Sequence, residues 1–233
     1  MMEVRDVTQK FFQLPHEEKL KIKMTPQSDY RGYQRVGENV TKGKPNIKNL
    51  QCYMPIEPGR YGNHAKPMEE SNLPDYPSNF DTLLENYISL LQNLSRKIMR
   101  GIALALGAQL DAFEGGTTGD AFWVLRLIGY PFSAGIPPRI DIGCGAHTDY
   151  AKPVPGTFVC NIGDMLKVSF NLINCKSFSC SYRVSVAFFY ESNFDAAVEP
   201  VELCREKTGG VAKYEKVVYG EHLVQKVLTN FVM

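Results

Sequence analysis

The chain has 233 residues, 44% of them apolar, and its 26 basic and 25 acidic side chains leave a net charge of +1. That length and composition suffice for one large domain or two small ones with a real core. The even charge balance, without a basic run, argues against a nucleic-acid-binding protein. The longest apolar stretches, such as 186–190, are far too short to span a bilayer, so we expect no membrane partner.

The amino terminus and the cysteines predict the compartment. Residues 1–6 are charged and lack the apolar core of a secretory signal. The six cysteines are scattered without a C-x-x-C pair, which is typical of reduced thiols. We therefore expect a cytoplasmic protein, and the sequence carries no signal for an oligomeric state.

Two short helices are predicted at the start of the chain. Apolar residues recur at helical spacing over 4–14, and Pro15 stands where a second helix, over 16–23, would begin. Residues 25–77 are rich in Pro, Gly and Asn, so we expect loops with short strands there. The apolar face of the first helix consists of Val4, Val7, Phe11 and Phe12.

A long helix is predicted over 79–106. Ser78 as N-cap and Asp81 three residues later would form a capping box, and Gly107 fits the residue that ends the helix. The apolar stripe of this helix indicates core packing rather than a binding surface. Its members are Phe80, Leu83, Leu84, Tyr87, Leu91, Leu94, Ile98 and Ile102.

From residue 121 the pattern changes to short strand-like runs that are broken by Gly and Pro. An amphipathic helix over 215–229 follows them. Helices, then strands, then a helix predict an α+β protein whose sheet part is a sandwich or barrel. The strand-like runs cover 121–130, 140–150, 157–168 and 182–194.

His147 and Asp149 are candidate metal ligands. Residues two apart on a strand point to the same face, so the imidazole and the carboxylate would lie together. Two histidines and one carboxylate on one face of an octahedron form the site of iron(II) oxygenases. An isolated H-x-D pair is also met as a surface aspartate beside a structural histidine. Gly143 and Gly145 favour the metal site, since they let the backbone approach a ligand closely.

Arg183 and Ser185 are candidates for binding a carboxylate. They are also two residues apart on a predicted strand, so they share a face. The guanidinium is a forked and always charged donor, and the neighbouring hydroxyl adds a third hydrogen bond. The alternative is an arginine that points into solvent at the start of a strand.

Five segments together resemble the plant 2-oxoglutarate/iron(II)-dependent dioxygenases of the isopenicillin N synthase-like family. The resemblance implies a double-stranded β-helix, or jelly roll, after an N-terminal helical part and before a C-terminal helix. Its divisions would be a helical and loop part over 1–118, a shortened, incomplete jelly-roll core over 119–200 and a helical extension over 201–233. The similar segments are 11–19, 123–131, 143–150, 159–166 and 182–186.

The same resemblance assigns roles to five residues and predicts a small-molecule substrate. His147 and Asp149 would bind Fe(II), while Arg183 and Ser185 would hold the distal carboxylate of 2-oxoglutarate. Tyr130 would also touch this cosubstrate, and ascorbate is a candidate accessory cofactor. The family would oxidise the substrate by hydroxylation or desaturation. No residue is assigned as a general acid or base.

The chain departs from the family pattern at three places. The family has a strand-and-helix region ahead of the point where this chain begins, and several core strands where only 151–155 stand here. Its second metal-binding histidine falls within 167–181, which contains none. The other histidines are His16, His64 and His222, and none of them occupies the motif position.

We therefore expect weak or absent iron binding and little turnover. Cys175 or Cys180 could replace the missing ligand only poorly, because thiolate does not suit this centre. The alternative function is a non-catalytic, truncated or alternatively spliced form that acts as a binding protein or is unstable. A cupin-like protein with another metal shares the architecture but does not explain Arg183 together with Ser185.

Overall fold

The structure is a computed structural model that describes residues 1–25, 32–35, 38, 40–41, 44–45, 49–53, 79–130, 156–161, 163, 183–207, 209–212 and 214–230. The helices are α1 (Met2–Gln13), α2 (His16–Leu20), α3 (Phe80–Leu106), α4 (Glu202–Lys207) and α5 (Tyr219–Asn230). The strands are β1 (Gly32–Gln34), β2 (Val40–Thr41), β3 (Lys44–Pro45), β4 (Asn49–Tyr53), β5 (Trp123–Tyr130), β6 (Arg183–Tyr190), β7 (Ala197–Val198) and β8 (Val217–Val218). Among these helices, none has the length and apolar character that a membrane span requires.

An antiparallel sheet forms the centre of the described structure. Its strand order is β1-β4-β5-β6, and β2–β3 and β7–β8 form two separate ribbons. The pairing of β5 with β6 extends over eight residue pairs, from Trp123 opposite Tyr190 to Tyr130 opposite Arg183. β5 therefore lies inside the sheet and pairs along its length with β6.

The first helix confirms the predicted apolar face, because Val4, Val7, Phe11 and Phe12 are all buried in α1. Their helical spacing is what lets all four side chains pack into the core beside β5. The second helix is shorter than the predicted 16–23. It ends at Leu20 because the chain then pairs with β1, where the Tyr33 N–H donates to the Ile22 carbonyl at 2.7 Å.

The third helix spans nearly the predicted range, but the predicted capping box is wrong. The N-cap is Asn79 rather than Ser78, and it makes no side-chain capping hydrogen bond. With the start one residue later, Asp81 stands at N2 instead of the N3 position that a capping box requires. The predicted end is confirmed: Gly107 has φ of 82°, and its N–H bonds back to the Ala103 and Leu104 carbonyls.

Only part of the predicted stripe of α3 is buried. Phe80, Leu84 and Leu91 belong to the core, together with Ile88, which the prediction omitted. Leu94 is 37% exposed, although Leu91 before it and Ala103 after it are buried. Helical spacing thus identified the buried face but not which of its positions are covered.

Two predictions for the sheet region and the C-terminus need correction, and one element was missed. The run over 157–168 forms no strand in its described part, 157–161 and 163, and Phe158 is 49% exposed with no ladder partner. The final helix begins at Tyr219 rather than at 215, because residues 217–218 pair with β7. The short helix α4 was not predicted. The run over 140–150 lies outside the described residues.

Candidate functional site

Successive side chains of β5 point to opposite faces of the sheet. Leu125 and Leu127 have no exposed surface and pack in the core formed with α1 and α3. Gly129 continues this face, and a side chain there would meet the ring of Phe12 at 2.8 Å. The helices therefore cover one side of β5 and β6, which leaves the alternating residues for the other side.

The register of β5 and β6 brings the predicted cosubstrate positions next to one another in the ladder. Tyr130 stands opposite Arg183 in the ladder, and Ile128 stands opposite Ser185. Directly opposite residues of an antiparallel pair have Cβ atoms about 4.5–5.5 Å apart on one face. Ile128 is 8% exposed and packs against Tyr130 and Met24. The register thus groups three positions, Tyr130, Arg183 and Ser185, that the sequence predicted as one site.

Arg126 lies on the same face and was missed by the sequence prediction. It is two residues from Ile128 and stands opposite Ala187. Its guanidinium carbon lies 5.3 Å from the ring centre of Phe189, and its Nε is buried without a hydrogen-bond partner. The only guide in the sequence was the two-residue period of a strand, which places Arg126 on the same face as Ile128 and Tyr130.

Asn193 fixes the far end of the β5–β6 pair. Its Nδ2 donates to the carbonyls of Gly115 and Gly116 at 3.0 and 2.9 Å, and its Oδ1 accepts from the Asp120 N–H at 2.8 Å. Its own N–H donates to the Thr117 carbonyl at 2.7 Å. These bonds join the turn before β5 to the segment after β6, so they hold the register that aligns the site.

The predicted metal ligands His147 and Asp149 lie outside the described residues. Of the other histidines, His16 lies 6.4 Å from the ring of Tyr33, and His222 is on α5. Within the described ranges, no three His, Cys, Asp or Glu side chains form a group that could hold a metal. The sequence offers one histidine and one carboxylate at the motif, so the donor set does not fit the complete centre of two histidines and a carboxylate.

Several curated proteins of similar sequence are plant homoarginine-6-hydroxylases. A homoarginine-6-hydroxylase from Oryza sativa subsp. japonica is 70% identical over all of this chain and 82% of its own length. Homoarginine-6-hydroxylases from Arabidopsis thaliana and Glycine max are 51% and 49% identical, over 99% and 100% of this chain and 81% and 82% of their own lengths. Residues 1–74 also match the model of the N-terminal region of a non-haem dioxygenase in morphine synthesis.

Solved structures give the same fold. JOX2 in complex with 2-oxoglutarate, iron and JA is 22% identical, with a TM-score of 0.74 over 99% of this chain and 77% of that one. A protein of the 2OG-Fe(II) oxygenase family from Caulobacter crescentus is 23% identical, with a TM-score of 0.74 over 96% of this chain and 83% of that one. The predicted jelly-roll class therefore agrees with the fold of these neighbours.

The alignment of this chain with the rice protein contains positions that this chain lacks. The alignment with the rice protein has 269 positions against the 233 residues of this chain, so at least 36 positions have a residue only in the relative. The alignment length does not locate these positions, so the missing core strands between 150 and 156 stay a prediction. The predicted cofactors, Fe(II) and 2-oxoglutarate, are those of the family. With 70% identity across its whole length, the chain belongs to the plant 2-oxoglutarate/iron(II)-dependent dioxygenases.

Proposed function

We propose that the chain binds 2-oxoglutarate between β5 and β6 and accepts homoarginine, or a closely similar basic amino acid, as its prime substrate. We also propose that its oxygenase activity is weak, because the second metal-binding histidine is absent. The observation that carries the proposal is the β5–β6 register, which groups the three predicted cosubstrate positions.

The cosubstrate assignment rests on the chemistry of the grouped positions. Arginine binds a carboxylate with two parallel charge-assisted hydrogen bonds, and a hydroxyl two residues away on the strand supplies a further donor. Tyr130 stands opposite Arg183, and Ser185 follows two residues later, so one carboxylate lies within reach of all three positions. Ile128 adds an apolar surface that suits the methylene groups of the dicarboxylate.

The substrate assignment rests on the relatives. Three plant proteins between 49% and 70% identical carry the name homoarginine-6-hydroxylase. The aligned residues of this chain are therefore similar to those of proteins that carry this name, and the alignments cover 99–100% of the chain.

The weak activity follows from the ligand count. Losing an outer partner of a metal ligand already costs about 10–100-fold in metal affinity or activity. Losing a direct ligand should cost more, and none of His16, His64 and His222 occupies the motif position of the second histidine.

Two measurements test this proposal separately. Calorimetric titration with 2-oxoglutarate should show binding by the wild-type chain and clearly weaker binding by Ser185→Ala. Ser89→Ala, an exposed position of α3, is the matched control and should bind normally. Equal affinity of all three proteins for 2-oxoglutarate would reject the cosubstrate site.

Succinate release with Fe(II), ascorbate and homoarginine tests the activity. We expect turnover far below that of the rice relative assayed in parallel, with weak charge-transfer absorbance from 2-oxoglutarate bound to iron. Comparable rates and absorbance would show that the metal site is complete in some other way. The second candidate function is a non-catalytic ligand-binding protein, which the missing histidine favours. Binding of 2-oxoglutarate without any release of succinate would support this second function.

A further inference from the structure

We infer that Arg126 binds the α-carboxylate of the prime substrate and so determines that this substrate is an amino acid. This inference rests on the proposed function, because it names the group that holds the substrate beside the cosubstrate site. The residue touches the substrate only, and it is distinct from the three cosubstrate positions.

The position of Arg126 places it on the face that holds the candidate site. Leu125 and Leu127, its neighbours in the chain, are fully buried against the helices, so Arg126 stands on the opposite face with Ile128. Ile128 is opposite Ser185, which makes Arg126 and Ser185 diagonal neighbours about 7–8 Å apart. A ligand that contacts Ser185 is therefore within one side-chain length of Arg126.

The hydrogen bonding of the Arg126 guanidinium is incomplete. The side chain is half-buried, and its Nε has no hydrogen-bond partner. A buried donor without an acceptor destabilises the folded protein, and a charged donor does so more than a neutral one. No carboxylate of the described residues pairs with this guanidinium. A substrate carboxylate would provide the acceptor in the bidentate geometry that the guanidinium favours.

Phe189 orients the guanidinium for that role. It lies two residues from Ala187, the partner of Arg126, and its ring centre is 5.3 Å from the guanidinium carbon. An arginine stacked on an aromatic ring is held in one plane while its N–H edge stays free for a planar anion. The contact therefore reduces the freedom that would be lost when a carboxylate binds.

The proposed substrate carboxylate at Arg126 and the proposed cosubstrate carboxylate at Arg183 would bind at different points along the paired strands. Arg126 is four residues from Tyr130, which corresponds to about 13 Å along the strand. Tyr130 and Arg183 form one end of the face, and Arg126 lies toward the other, with Ile128 between them. A dicarboxylate held at the first end would leave Arg126 available for a second acid.

The test is calorimetric titration of the purified full chain with four probes. They are L-homoarginine, L-homoarginine amide, hexanoate and 2-oxoglutarate. The variant is Arg126→Met, with Arg126→Lys as a second variant that keeps the charge but loses the fork. Arg5→Met is the matched control, since the Arg5 side chain is 66% exposed on α1.

We expect Arg126→Met to weaken L-homoarginine binding by about 10- to 100-fold, which corresponds to loss of a charged hydrogen-bonded pair. Arg126→Lys should bind it with intermediate affinity. The amide should bind weakly to wild type and variants alike, and the affinity for 2-oxoglutarate should not change. The thermal midpoint of ligand-free Arg126→Met should stay the same or rise, because an unpaired buried donor is removed.

Each other outcome has a definite meaning. Equal homoarginine binding by wild type and Arg126→Met overturns the inference and leaves the proposed function standing. Loss of 2-oxoglutarate binding in Arg126→Met also overturns it, because Arg126 would then belong to the cosubstrate site. Arg126-dependent binding of hexanoate without binding of homoarginine overturns the inference, because Arg126 would then bind a carboxylate without selecting an amino acid. Binding of neither monocarboxylate by wild type overturns the inference.

Discussion

Replacing Gly129 by alanine tests the close contact between β5 and α1. A Cβ atom at this position would lie 2.8 Å from Cγ of Phe12 and 3.0–3.1 Å from two further ring atoms. The ring would have to move back by about 0.6 Å to reach the 3.4 Å of an ordinary contact. Phe12 is itself only 5% exposed, so its ring has little space to enter.

The expected loss of unfolding free energy is about 0.2–2.2 kcal/mol. Overpacking by one methyl group in a dense core costs about 1–3 kcal/mol. Burying the added methyl group returns about 0.8 kcal/mol of hydrophobic stabilisation. Gly101→Ala is the matched control: it lies on the exposed side of α3 with nothing within 4 Å, so helix propensity should raise stability by about 0.5–1 kcal/mol.

Urea unfolding followed by tryptophan fluorescence provides the measurement. Trp123 is the single tryptophan of the chain, and it stacks on Phe188 with ring centres 6.1 Å apart. The decisive comparison is a double-mutant cycle with Phe12→Leu, which shortens the side chain that alanine would strike. The double variant should lose at least about 1 kcal/mol less than the sum of the two single losses. Two outcomes would refute the packing argument: losses of unfolding free energy that are strictly additive, or a Gly129→Ala protein as stable as the wild type.

Three further predictions use the same unfolding assay. Asn193→Asp replaces the two N–H donors of Nδ2 by an oxygen that faces two backbone carbonyls. We expect the free energy of unfolding to fall by about 2 kcal/mol or more at pH 7, and by less in acid, where the carboxyl group is protonated. Asn86→Asp, at an exposed position of α3, should leave the free energy of unfolding nearly unchanged. Gly220→Ala should destabilise more than Gly129→Ala, because its Cβ would meet the Phe194 backbone carbonyl at 2.7 Å, which cannot rotate away; an equal or smaller loss contradicts this. Burial, and then Glu191, raise the pKa of Tyr219, so stability should fall as pH rises above about 10, where the unfolded tyrosine ionises and the folded one does not. Tyr219→Phe should show a shallower fall, and an unchanged slope would contradict the assignment.

Helical elements were predicted well where one face of the helix is apolar and covered. The face of α1 and the end of α3 at Gly107 follow from spacing and from one glycine in the left-handed region. The start of α3 was misplaced, because Ser78 and Asn79 are both good N-cap residues and sequence does not distinguish them. The start of α5 was missed because pairing of residues 217–218 with β7 depends on a segment about 20 residues earlier.

The candidate site was predicted in part, because its chemistry is local while its geometry is not. Arg183 and Ser185 were predicted from their spacing on one strand, and Tyr130 from family resemblance. Their neighbourhood depends on the β5–β6 register, which joins residues more than 50 positions apart. Arg126 was missed because an arginine within an apolar run has no motif, and its unpaired state emerges only once the strands are packed.

The alternation of β5 has a consequence for how this protein tolerates change in evolution. Odd-numbered residues from Trp123 to Gly129 meet the helices, while Arg126, Ile128 and Tyr130 lie on the opposite face. A single-residue insertion or deletion within β5 would exchange the two sets, turning leucines away from the helices and an arginine toward them. A length change in this strand would therefore disturb every packed position at once, whereas a point substitution disturbs only one.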